Sequence, residues 1–273
     1  KDIFAAQSID VPETMGEMEE VAKKLTDKGK NQFGVLWRGQ AGPAVGVWSA
    51  FQANFGADWL TPDGKPTANN PDVVRSIEHY GRLLREYGPP GALNINWPQA
   101  VDLFAQGSSM QFCESSALLA RWEDPKTSKV VDKTGYALLP GEKGGQNPAL
   151  NGWIWSIYAK SKKKEPAWYF VQWASGKDVS ARMQRKGIQQ GRQSSWNDAE
   201  FQKEFGAKHP DLVETMLKSY EKGKAFLYPP YVNVAKARDI YGEAISVAIQ
   251  GGDVAAACEK AQKALEDLQA AEG

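Results

Sequence analysis

The sequence predicts an α/β architecture of roughly two units. Three observations lead there. Short apolar runs of strand character alternate with stretches whose apolar residues recur at helical spacing. Helical stretches dominate the C-terminal half. The chain has 273 residues, against a typical domain of about 150. Strands joined by a helix are expected to pair in parallel.

The elements follow in order. Thr14 and Glu17 fit a capping box just after Pro12. Met15, Met18, Val21 and Leu25 continue at helical spacing, with an end expected near Lys28-Gly29. Residues 33–37 read as a strand, and residues 41–55 as a helix running on from Pro43. Asp63-Gly64 signals a turn. Asn70 and Pro71 read as N-cap and first helical residue. Val74, Ile77, Tyr80, Leu84 and Tyr87 form the stripe of that helix, and Gly88-Pro89-Pro90 stops it. His79 lies on it and reads as a surface or partly packed residue. Pro98 opens a short helix with Val101 and Phe104 inward and Gly107 as its stop.

Residues 109–112 read as a buried strand leading into Glu114-Ser115-Ser116, and residues 135–139 as another strand. A flexible loop is expected at 141–145, then a Trp- and Ile-rich strand at 152–158. The basic run 160–164 reads as a solvated loop. Helices are expected at 166–174, 178–186 and 211–220, with an irregular segment at 187–196 that carries Arg192. Tyr228-Pro229-Pro230-Tyr231 is a rigid extended stretch. Two helices close the chain, divided at Gly251-Gly252.

Composition excludes several functions. Lys plus Arg and Asp plus Glu are each 33, so the net charge is zero. Neither a nucleic-acid binder nor a polybasic membrane-surface protein is expected from that balance. No apolar run approaches the length of a membrane span. Two cysteines, Cys113 and Cys258, exclude a disulfide scaffold and a four-cysteine metal site. Two histidines, His79 and His209, point away from histidine-rich metal chemistry. No GxSxG, HExxH, Walker A or strand-linked GxGxxG motif is present. Glu114, beside Ser115 and Ser116, is the best acid for a glycan-cleaving pair. The same carboxylate at a strand end equally suits accepting hydrogen bonds from ligand hydroxyls. Ten Trp, nine Tyr and ten Phe are an excess with two readings: core packing, or flat platforms for a ring-shaped polar ligand such as a sugar.

The order of short segments then resembles a known family. Gln7-Ser8-Ile9-Asp10-Val11-Pro12-Glu13-Thr14 is followed by Gly34-Val35-Leu36-Trp37-Arg38-Gly39-Gln40 and Asn54-Phe55-Gly56-Ala57-Asp58-Trp59. Trp97-Pro98-Gln99-Ala100, Gly135-Tyr136-Ala137-Leu138-Leu139-Pro140, Asn151-Gly152-Trp153 and Ala167-Trp168-Tyr169-Phe170-Val171-Gln172-Trp173 continue the pattern. Their order and spacing across essentially the whole chain resemble the sugar-binding (maltose-binding-protein-like, family 1) extracellular solute-binding proteins of bacterial ABC importers. The resemblance implies a helix-rich, periplasmic-binding-protein-like (type II) fold of two α/β lobes that close about a hinge. It places residues 1–150 in the C-terminal lobe, 155–215 in the N-terminal lobe and 220–273 in the closing helices of the C-terminal lobe. Family members carry a first-lobe segment before the equivalent of Lys1, so the first lobe is expected to be incomplete here.

The resemblance also implies a cleft and its residues. Trp153 is the foremost candidate, since Gly152 lets the backbone approach closely. Arg38, after the strand ending at Trp37, offers a fork of donors to hydroxyls, or else makes a surface salt bridge. Trp59 is a candidate platform, Glu114 and Ser115 candidate hydroxyl partners, and Arg192 and Tyr228 further cleft residues. Trp155 is either a second platform or a core residue, and Trp168 and Trp173 read as packing. The implied partners are a small carbohydrate and the membrane permease, with no nucleic acid, no cofactor and no metal. A monomer is implied, in the periplasm or attached to the outer face of a Gram-positive membrane. In that compartment Cys113 and Cys258 either pair or stay as packed thiols. A sensory or adhesive module on the same fold is the other binding reading.

Overall fold

A computed structural model of the protein describes residues 1–142 and 145–272. Residues 143 and 144 of the expected 141–145 loop lie outside the described residues. The principal helices are α1 (Met15–Leu25), α2 (Ala41–Asn54), α3 (Pro71–Tyr87), α4 (Trp97–Ala105), α5 (Lys164–Ala174), α6 (Lys177–Arg185), α7 (Pro210–Lys222), α8 (Val234–Gln250) and α9 (Val254–Glu272). Two short strands, β1 (Ala149–Leu150) and β2 (Lys224–Ala225), pair in parallel.

Local chemistry sets the helix starts. The Thr14 hydroxyl accepts from the Glu17 amide, and the Glu17 carboxylate accepts from the Thr14 amide, which completes the expected capping box. α1 stops at Leu25, earlier than expected. Thr26 is extended, and its hydroxyl donates to the Ala22 carbonyl at 2.6 Å. Asn70 caps α3 with Pro71 at its first turn, as expected. α4 starts with a capping box of Asn96 and Gln99. Gly251 ends α8 at φ 79°, a conformation that glycine adopts without steric cost. No helix among the described residues is long and apolar enough to cross a membrane.

The strands differ from expectation. Residues 33–36 and 109–112 lie in parallel, but only as isolated bridges at Phe33–Ser109 and Leu36–Phe112. The Leu36 amide donates to the Gln111 carbonyl at 2.9 Å, and the Cys113 amide to the Leu36 carbonyl at 3.2 Å. Residues 135–139 and 152–158 form no ladder among the described residues. A strand needs a hydrogen-bonding neighbour, and no second strand lies beside either segment.

Two cores result. The first joins α1, α2 and α3 to α8 and α9, with Trp37, Trp48, Phe51, Tyr80 and Tyr241 at its centre. The second joins α4 and the turn Leu119–Trp122 to Trp196, Phe201 and the Leu212–Met216 face of α7. Residues 196–216 therefore share a core with residues 95–122. Segment 33–37 divides the two cores, with Val35 and Trp37 in the first and Leu36 in the second. Cys258 is buried in the first core, Cys113 packs at its edge, and both are free thiols. Burial pushes each of them up to about 12.

His79 is a correction. It is buried against Phe51 and Phe55 in the first core rather than lying at the surface. Burial, with Arg82 nearby and Glu19 partly opposing, pulls its pKa down to about 4. The unfolded chain therefore binds a proton between about pH 6.5 and 4 that the native state refuses. That stability is present above the unfolded pKa and is lost as pH falls to about 4, by roughly 3 kcal/mol. Urea unfolding at a series of pH values will show this slope, and His79→Leu will flatten it.

Close helix contact comes from a glycine. A Cβ on Gly81 of α3 would lie 2.4 Å from the Ala248 Cβ of α8 and 2.7 Å from its backbone. Gly81→Ala is expected to cost about 2 kcal/mol by forcing α3 and α8 apart, measured by urea denaturation.

Candidate functional site

An open groove runs along the seam between the two cores. Its floor holds the pair the sequence places far apart. Arg38 follows the dividing segment, and Glu114 follows its parallel neighbour. The parallel bridges bring the two side chains together. Arg38 Nε donates to Glu114 Oε2 at 2.7 Å, and Arg38 Nη2 donates to Glu114 Oε1. The arrangement is a bidentate fork. The Glu114 side chain is 0% exposed and that of Arg38 is 14% exposed. Burial works against the guanidinium charge, but the Glu114 carboxylate outweighs it and holds the Arg38 pKa above its ordinary value. Ser115 donates its amide to Glu114 Oε1 at 2.7 Å. Its hydroxyl caps the following turn, 3.4 Å from the Ala117 amide. Both oxygens of Glu114 are thus engaged, so it presents Arg38 to the groove rather than serving as a free acid.

The other candidates divide. Tyr228 is on the groove wall, with the Arg238 guanidinium 4.4 Å from its ring centre. Arg238 is itself anchored by donating to the Gly42 carbonyl at 3.0 Å. Trp153 and Trp155 also line the groove, and Trp153 is 90% exposed. Trp155 stacks edge-on against Phe170 of α5. Trp168 and Trp173, expected as packing, are more than half exposed. With Trp153, Ile154, Trp155 and Tyr169 they make an aromatic strip of exposed side chains within residues 153–173, in which the Phe170 ring meets both Trp155 and Trp173.

Trp59 is a correction. It is 3% exposed in the first core, stacks on Phe226 and meets Trp48 edge-on. Its Nε1 donates to the Phe226 carbonyl at 3.1 Å, so its polar handle is satisfied inside the protein. Arg192 lies apart from this groove. Its Nε donates to the Ser175 carbonyl at 2.6 Å, and it is absent from the groove wall. The neighbouring Gln189, Gln190 and Gly191 supply that wall instead.

Sequence reasoning also missed polar groups in the groove. Gln189 Nε2 is buried there with no hydrogen-bond partner, a donor available to a ligand. Asn96 and Trp97 line the groove at the start of α4, and Arg121 lies 4.9 Å from the Trp97 ring centre. The Asn96-x-x-Gln99 capping pattern was legible and would have placed Trp97 at the exposed first turn of the helix.

The fold is of the two-lobed, helix-rich, periplasmic-binding-protein class. The chain superimposes with a TM-score of 0.88 and 32% identity on a solute-binding protein of Agrobacterium radiobacter K84 solved with ribitol, covering 98% of this chain and 67% of that one. A solute-binding protein of Agrobacterium vitis S4 with bound D-mannitol gives a TM-score of 0.83 and 29% identity, over 98% of this chain and 68% of that one. Residues 1–181 match the bacterial extracellular solute-binding protein family, and the chain belongs to that family. A mannitol-binding protein of Pseudomonas aeruginosa is 29% identical over 180 residues, 64% of this chain and 41% of its own length. The chain thus spans less than half the length of that curated relative.

The Arg38–Glu114 pair makes a direct prediction. Glu114→Ala leaves a mostly buried guanidinium without a counter-charge and is expected to cost about 3–5 kcal/mol. Arg38→Met with Glu114→Leu should recover most of that loss in urea unfolding, because the charge and its partner leave together.

Proposed function

We propose that the chain is the ligand-capturing part of an ABC importer's solute-binding protein, and that its ligand is a small polyol or sugar. The observation that carries the reading is the superposition of nearly the whole chain on a ribitol-bound solute-binding protein at 32% identity. Relatives named for mannitol and for erythritol and L-threitol favour an acyclic polyol within that class. The groove chemistry agrees. Arg38 and Gln189 offer donors to hydroxyls, while Tyr228, Trp97 and Trp153 offer flat apolar faces to C–H edges.

In this reading residues 1–150 and 220–273 contribute to one lobe, joined by residues 196–216, which share a core with residues 95–122, and the stretch from 155 to 195 belongs to the other. The aromatic strip on residues 153–173 meets further polypeptide of that second lobe. The related structures extend beyond the part this chain covers, which supports that assignment. Ligand would draw the lobes together, and the closed form would dock on the permease outside the cytoplasmic membrane. The chain then acts by binding, not by turnover, and Glu114 serves as the partner of Arg38.

A thermal-shift titration tests the reading. Ribitol, mannitol and erythritol are compared with maltose as an outlier. At a hundred times its dissociation constant, a bound ligand adds about 2.7 kcal/mol, which raises the melting point by several degrees. A shift with a polyol that Arg38→Ala abolishes is the expected result. No shift with any polyol or sugar, from protein that includes both lobes, rejects it.

A further inference from the structure

We propose that Glu123, Asp132 and His209 form a binding site for a borderline divalent cation of the Zn²⁺ or Mn²⁺ type. The fold brings the three together from separate places. Glu123 follows the turn Leu119–Trp122, Asp132 lies in the following loop, and His209 sits just before α7. Their ligand atoms all lie within 4.8 Å of one another. His209 Nε2 is 3.8 Å from Asp132 Oδ1 and 4.0 Å from Glu123 Oε2. Those gaps are too long for hydrogen bonds. Atoms that bond a common tetrahedral ion at roughly 2.0–2.2 Å lie about 3.3–3.6 Å apart, so a shift of a few tenths of an ångström by the exposed Asp132 side chain brings the set into range.

The imidazole supplies an independent observation. His209 is 3% exposed, packed between the rings of Phe205 and Tyr136. Nδ1 has no partner, and Nε2 points between the two carboxylates without reaching either. A buried imidazole that aims Nε2 at two carboxylates beyond hydrogen-bond reach is uncommon, and a cation between them would bond that nitrogen and both acids. Among the described residues no lysine or arginine forms an ion pair with Glu123 or Asp132.

The surroundings suit a held ligand set. Glu123 Oε1 accepts from the Tyr136 hydroxyl, which in turn accepts from Trp122 Nε1. Glu123 Oε2 accepts only a long bond from the Asp132 amide, at 3.4 Å, which leaves it a lone pair for the ion, and the Tyr136 bond fixes the carboxylate's orientation. The Asp132 side chain is 71% exposed, which gives the ion an entry path and leaves room for water. One imidazole nitrogen and two carboxylate oxygens suit Zn²⁺ or Mn²⁺ better than Ca²⁺, which takes six to eight oxygens. The bound ion would staple the 123–136 stretch to the start of α7. Tyr136 of that stretch lines the groove.

Chelator-treated protein is titrated with ZnCl₂ by calorimetry, with the stoichiometry read by equilibrium dialysis and elemental analysis. One saturable Zn²⁺ per chain is expected, with a rise in melting point of several degrees. Asp132→Asn and His209→Gln are each expected to weaken affinity by about tenfold or more. The exposure of Asp132 lets its variant fold, and near-ultraviolet circular dichroism checks that it does. Absence of saturable binding overturns the proposal. So does Zn²⁺ binding that Asp132→Asn leaves unchanged, since the ion then sits elsewhere.

Discussion

The architecture depends on one extended segment that serves two cores at once. Residues 33–37 send Val35 and Trp37 into the first core and Leu36 into the second. Strand-like alternation makes this possible, because successive side chains leave opposite faces. The backbone must then be satisfied locally, and the parallel bridges to residues 109–112 do that. The neighbouring glycine permits the close packing. A Cβ on Gly34 would lie 2.1 Å from the Ala22 carbonyl oxygen. At the end of the segment Arg38 meets Glu114, and the two chain segments are joined by charge as well as by backbone. The groove lies where this seam reaches the surface, so the same constraint that divides the cores also places the donor fork.

Aromatic residues do two different jobs here. Trp37, Trp48, Trp59 and Trp196 are buried and fill large core volumes, with the indole nitrogens of Trp48, Trp59 and Trp196 donating to internal acceptors. Trp153, Trp155, Trp168 and Trp173 instead lie on one exposed strip. An exposed apolar area of this kind loses the stabilisation that burial gives, roughly 25 cal/mol per Å². Trp97 and Tyr228 stand between these extremes. Each has one face toward the groove and an arginine against its ring.

Tyr136 links the groove to the second core. Its amide donates to Asp211 at 2.9 Å, and its carbonyl accepts from the Thr215 hydroxyl. Its hydroxyl donates to Glu123, and burial, with that bond, raises its pKa well above the ordinary tyrosine value. The ring is therefore fixed from backbone to tip. Whatever anchors residues 123–136 also fixes one wall of the groove.

Helix starts were legible in the sequence, because caps act within a few residues. Thr14 with Glu17, and Asn70 with Pro71, specify their helices by contacts three residues away or fewer. The family and its fold class were legible too, from the order of short segments. The strands were not, since a ladder needs a partner that no local pattern supplies. Residues 152–158 carry the composition of a strand and form none. Burial of His79 and Trp59 was likewise undetermined by spacing, because helix α3 and the Trp59 loop are each enclosed by α8, α9 or Phe226 from the far end of the chain. The groove divided in the same way. Sequence position marked Arg38, Glu114, Ser115, Tyr228 and Trp153, which line it, but also Trp59 and Arg192, which do not. Only the tertiary structure decides which polar groups already have partners, because those partners, such as Glu114 for Arg38 and Ser175 for Arg192, lie 76 and 17 residues away.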